Sequence, residues 1–136
     1  MAAPKILFVD DEGLMLALYR RYIERAGYQL ATASSGEEGV ELAVREMPDL
    51  IIMDVVMQGM SGLAALRALK TNDTTKAIPV IIVTAAVSKQ YEAARRESTT
   101  GGAARFLTKP ISPPQLLAEI QKIVPLQNPP PTENRK

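Results

Sequence analysis

A chain of 136 residues with 46% hydrophobic side chains can bury the core of one domain, and a formal net charge of +1 gives no basic field to draw nucleic acid. The absence of cysteine and histidine excludes disulfides, thiol chemistry, imidazole metal ligands and a histidine general base. No apolar stretch approaches a membrane span, and the short N-terminal apolar run leads straight into Asp10-Asp11-Glu12 and not a signal peptide, so a cytoplasmic location without membrane insertion is expected.

Along the chain, short apolar runs alternate with helix-like spacing, which predicts an α/β fold. The first strand covers residues 6–9. Helix 1 follows Asp11, with Met15, Leu18, Tyr19, Tyr22, Ile23 and Ala26 as its apolar stripe and Gly27 as C-cap. Strand 2 (29–33) leads through Ser34-Ser35-Gly36 into helix 2 (37–46), which Pro48 ends. Strand 3 runs from Leu50 to Asp54, and a loop (55–61) precedes helix 3 (62–72), whose buried stripe is Leu63, Leu66 and Leu69. Ile78-Pro79 opens strand 4 (80–83). Residues 88–97 are polar and helix-prone, and 98–102 read as a flexible connection. Strand 5 ends near Thr108. Helix 5 starts at Ser112-Pro113-Pro114 and turns Leu116, Leu117, Ile120 and Val124 inward. The Pro-rich residues 125–136 suit a flexible tail or linker remnant, so the folded domain is expected to cover 1–124.

Five strands and five helices in alternation fit a flavodoxin-like, doubly wound parallel sheet of order 2-1-3-4-5, in which ligands bind at the carboxyl ends of the strands. The strands end in Asp10-Asp11, Asp54, Thr84 and Lys109-Pro110. Taken singly, each has an ordinary explanation: a helix-capping Asp, a loop Asp, a strand-end hydroxyl, a solvated Lys beside a turn proline. Their recurrence at the same end of successive strands favours a functional cluster. Carboxylates crowded at the strand 1–strand 3 switch point need a cation, and oxygen ligands without His or Cys favour a hard ion, most simply Mg²⁺, together with Lys109.

These residues resemble a response-regulator receiver domain of two-component signalling, the fold typified by the chemotaxis regulator. The match lies in Asp10-Asp11, in Asp54 within Pro48-Asp49-Leu50-Ile51-Ile52-Met53-Asp54-Val55-Val56-Met57, and in Gly59-Met60-Ser61-Gly62, Thr84-Ala85, Gly102-Ala103 and Lys109-Pro110, over about residues 5–124. The resemblance implies that Asp54 accepts a phosphoryl group from a sensor histidine kinase or phosphotransfer protein. It implies Asp10, Asp11, Asp54 and the Val56 carbonyl as the Mg²⁺ site, and Lys109 as the phosphoryl group's partner. Thr84 and Phe106 would be switch residues that bias a helix 4–strand 5–helix 5 surface toward a downstream protein partner. Such a receiver catalyses its own phosphoryl transfer and dephosphorylation and is not a turnover enzyme on an external substrate.

Three departures from the family pattern stand out. Gln58 replaces the usual Pro; Ala104-Arg105 replaces the acidic pair of the branch that dimerises through helix 4, strand 5 and helix 5; and residues 98–101 read as extra length. No output domain follows, which fits a stand-alone receiver or one cut at a linker. A haloacid-dehalogenase-like phosphohydrolase needs Asp-x-Asp after strand 1, which is absent. A phosphorylation-independent pseudo-receiver fits poorly with the full acidic set, Thr84 and Lys109. Flavin binding lacks a phosphate loop after strand 1.

Overall fold

The apolar runs form five parallel strands in the computed structural model, which describes residues 3–55, 61–85 and 91–126, residues 14 and 15 by backbone alone. In chain order the elements are β1 (Lys5–Val9), α1 (Gly13–Ala26), β2 (Gln29–Ala33), α2 (Gly36–Glu46), β3 (Leu50–Asp54), α3 (Gly62–Thr71), β4 (Val80–Ala85), α4 (Tyr91–Thr100), β5 (Arg105–Lys109) and α5 (Pro113–Ile123). The sheet order is β2-β1-β3-β4-β5, as the alternation predicts.

Alternation along the strands divides the core in two. Leu7, Val9, Ile51, Met53, Val80 and Ile82 face α2, α3 and α4, while Ile6, Phe8, Leu50, Ile52, Ile81 and Val83 face α1 and α5. The central strands are apolar on both faces because helices cover both, which is why they read as unbroken hydrophobic runs.

Helix ends follow local chemistry. Ser35, Ser61 and Ser112 each accept a hydrogen bond at the start of α2, α3 and α5, and Gln115 returns a bond to the Ser112 N–H to complete a capping box. Gly27 ends α1 in the left-handed region at φ 117°.

Several boundaries and faces differ from the sequence reading. On α1, Tyr19 and Ile23 are buried but Leu18 and Tyr22 are 45% and 40% exposed. The helix meets the sheet and α5 through a narrow i, i+4 seam, and residues one step round the helix point away. On α3, Leu66 and Leu69 are buried with Ala65, whereas Leu63 is half-buried. The expected flexible connection at 98–102 is in its first three residues the last turn of α4, with Ser98 fully buried. Thr99 and Thr100 close that turn by donating back to the carbonyls of Arg95 and Arg96. The helix ends only at Gly101-Gly102, where Gly102 takes φ 94°. Residues 88–90 of the expected helix 4, and Gln58 in the loop after Asp54, lie outside the described residues. Beyond α5, Leu126 is half-buried and packs on the α1–α5 side of the core.

Candidate functional site

Register brings the acidic residues together. Val9 pairs with Met53 across β1 and β3, so the next residue on each strand, Asp10 and Asp54, comes side by side at the carboxyl edge. Thr84 pairs with Thr108, and Ala85 with Lys109, on the other side of that edge.

Asp10 is almost wholly buried. Its Oδ1 accepts the Glu12 N–H at 2.9 Å and its Oδ2 accepts from Lys109 Nζ at 3.2 Å. It therefore fixes the loop into α1 without being the helix cap, which is Glu12. Asp54, the last residue of β3, is 7% exposed and accepts from Lys109 Nζ at 2.9 Å. Glu12, with its carboxylate 3.5 Å from the same nitrogen, adds a third negative group at the rim. Burial alone would lower the Lys109 pKa, but the hydrogen bond and charge of Asp54, with those of Asp10, raise it well above the ordinary lysine value. Lys109 is thus a permanent cation at this edge.

Asp11 is exposed beside this centre. Asp10 and Asp54 are buried carboxylates bridged by the Lys109 ammonium, and among the described residues no group of three or more acidic side chains is arranged to hold a metal ion. Val56, whose carbonyl was expected among the metal ligands, lies outside the described residues.

Thr84 is buried, and its Oγ1 has no hydrogen-bond partner among the described residues. A buried hydroxyl left unsatisfied costs roughly 1–3 kcal/mol, so such a group marks a place where an acceptor belongs. Phe106 is half-buried on the α4 side of β5 and meets Tyr91 edge to face, with ring centroids 5.6 Å apart. It also lines an open groove of about 560 Å³ with Arg95, Arg96, Thr99 and Thr100.

The sequence reading did not single out Glu12, Tyr19 or Tyr91. Glu12 was visible as the third acid after strand 1. Tyr19 falls within the apolar stripe of α1, yet its hydroxyl also donates to the Ile111 carbonyl at 2.7 Å and anchors the loop after Lys109. Nothing in the polar α4 sequence marks Tyr91, whose role depends on what β5 presents to it.

A parallel 2-1-3-4-5 sheet with acids after β1 and β3, a hydroxyl on β4 and a lysine at the end of β5 defines a receiver-type signalling domain. The chain belongs to the response regulator receiver domain family, whose model matches residues 6–121. It is 38% identical over 120 residues to the protein PilH of Pseudomonas aeruginosa, covering 88% of this chain and 97% of that one. It is 35% identical over 119 residues to the response regulator PleD of Caulobacter vibrioides, but spans only 26% of that longer protein. Among solved structures, the chemotaxis response regulator CheY4 of Vibrio cholerae matches with a TM-score of 0.81 at 30% identity, over 90% of this chain and 99% of that one.

Proposed function

We propose that this receiver domain of two-component signalling takes a phosphoryl group onto Asp54. The observation that carries the reading is the buried Asp54 carboxylate held 2.9 Å from the Lys109 ammonium, with the Thr84 hydroxyl, which has no partner among the described residues, on the adjacent strand. A carboxylate oxygen of Asp54 attacks phosphorus, the bond from phosphorus to the donor breaks, and an acyl phosphate forms. With a histidine kinase or phosphotransfer protein as donor, the bond broken is phosphorus–nitrogen and the imidazole leaves. Lys109 stabilises the charge on the transferring oxygens, and the Thr84 hydroxyl donates to a phosphoryl oxygen.

Mg²⁺ fits the chemistry of the donors. Asp10, Asp54 and Glu12 each bring a carboxylate within 3.5 Å of the Lys109 ammonium, Asp11 follows Asp10 in the chain, and the sequence offers no His or Cys to compete with oxygen ligands. Asp10, Asp11 and Asp54, with the Val56 carbonyl, would hold the ion, which would neutralise charge on the transferring phosphoryl group. Thr84 moving toward the phosphoryl group, with Phe106 turning inward, would change the α4–β5–α5 surface seen by a downstream protein. The domain acts on its own aspartate and not as a turnover enzyme, with no direct nucleic-acid target. No helix among the described residues is long and apolar enough to cross a membrane, which is compatible with the cytoplasmic location we propose.

Mass spectrometry after incubation with acetyl phosphate and Mg²⁺ tests the assignment. One phosphoryl group should add to the parent chain, and none to Asp54→Asn or to the parent in EDTA. Full labelling of Asp54→Asn would overturn it.

A further inference from the structure

Phe106 does not lie free on the sheet edge. Phe106 and Thr108 stand on the same face of β5, two residues apart, and one residue of α4 engages both. The Tyr91 ring packs edge to face on Phe106, with an interplanar angle of 63°, and the Tyr91 hydroxyl shares a 3.2 Å hydrogen bond with Thr108 Oγ1. Thr108 is in turn the register partner of Thr84. The rest of α4 has little grip on the body of the domain, since its buried residues are Ala94 and Ser98 alone. Neither supplies much apolar surface, so the Tyr91 contacts weigh heavily in where α4 sits.

We propose that Tyr91 is a positioning residue: a latch, tied to Thr108, that holds Phe106 in its half-buried place beside α4 until phosphorylation draws the site inward. The inference rests on the switch reading given above. An aromatic edge contact and a single hydrogen bond each shift a two-state equilibrium by roughly two- to tenfold, enough to set a resting population without locking it. Because Phe106 also lines the groove beside Arg95 and Arg96, the latch governs the shape that α4 and β5 offer a partner.

The chain has two phenylalanines, so fluorophenylalanine labelling gives two ¹⁹F resonances, Phe106 and the buried Phe8. Beryllofluoride with Mg²⁺, which stands in for the phosphoryl group, should move the Phe106 resonance of the parent chain. Tyr91→Leu removes both contacts, and Thr108→Val removes only the hydrogen bond while keeping side-chain shape. Both variants should show the Phe106 resonance displaced toward its activated position before beryllofluoride is added. Thr108→Val should reach half-saturation at roughly two- to tenfold lower beryllofluoride, and Tyr91→Leu, which loses both contacts, at a lower concentration still. Thr108→Val leaves the residues of α4 itself unaltered and decides the matter if Tyr91→Leu unsettles the helix. A silent Thr108→Val, or a shift in the opposite direction, overturns the latch while leaving the switch intact. If beryllofluoride leaves Phe106 of the parent in place, the switch reading fails first and the latch falls with it.

Discussion

Lys109 Nζ lies 2.9 Å from Asp54 Oδ2, closer than the 3.2 Å to Asp10 Oδ2, so one ammonium is counter-ion to both buried carboxylates. Lys109→Met keeps an unbranched apolar stem but leaves the two acids facing each other. Stability should fall by about 3 kcal/mol, the low end for breaking a buried pair, because the Lys109 side chain retains 18% exposure. Mg²⁺ should recover part of the loss by replacing the missing cation. Urea unfolding with and without Mg²⁺ measures both effects. An unchanged midpoint in the metal-free variant would show that the pair contributes nothing to folding.

Gly62 limits how the site can be rebuilt. A Cβ there would run into the Asp54 carbonyl oxygen and meet the Val55 Cα at 2.7 Å, while the Gly62 N–H donates to the Val55 carbonyl. Gly62→Ala should cost about 1–3 kcal/mol as overpacking and should also slow labelling of Asp54, since backbone must move. Gly13→Ala, where nothing lies within 4 Å, is the control and should leave stability unchanged or slightly raised. Urea midpoints and phosphorylation time courses for the two variants check the contrast.

Much of this site was legible because its chemistry is punctuated by strands. Asp10, Asp54 and Lys109 each sit at a strand's carboxyl end, so the sheet order alone brings them to one edge. What was not legible depends on side chains meeting across elements. Residues 98–100 look like a loop because they are Ser and Thr, but Thr99 and Thr100 turn their hydroxyls onto their own helix, and the small Ser98 fits the core. The covered stripe of α1 is narrower than its apolar spacing, because spacing alone does not say how much of a helix its neighbours cover.

Ser98 tests how this last turn of α4 is held. Its Oγ is buried on α4 with no hydrogen-bond partner among the described residues. Ser98→Ala removes the stranded hydroxyl with little change in shape, and should stabilise the domain by about 1 kcal/mol. A lower urea midpoint would mean that the hydroxyl is satisfied in solution.

Arg105, standing where an acidic residue was expected in the dimerising branch of the family, is paired within its own chain to Glu119 of α5 at 3.1 Å. Glu119 is mostly covered, so a second chain has limited access to this pair. Sedimentation of the beryllofluoride-treated protein, with cross-linking at α4 and α5, should show no salt-bridged dimer through α4, β5 and α5. A tight activated dimer through those elements would contradict this.

The end of the fold can be located by a pair of cuts. A domain ending at Val124 was expected, yet a Cβ built on Gly27 would meet Leu126 Cδ1 at 3.3 Å, so this side chain lies directly over the α1 C-cap. The Tyr28 hydroxyl also donates to the Val124 carbonyl at 2.6 Å, holding the exit from α5 against the start of β2. A half-buried leucine contributes on the order of 1 kcal/mol of apolar burial, whereas residues beyond it are polar or proline. Deleting residues 127–136 should therefore leave the thermal midpoint unchanged, and deleting 126–136 should lower it by a few degrees. Leu126→Ala in the full chain should reproduce the second result, separating the loss of the side chain from the shortening itself. Equal midpoints for the two truncations would return the boundary to Val124.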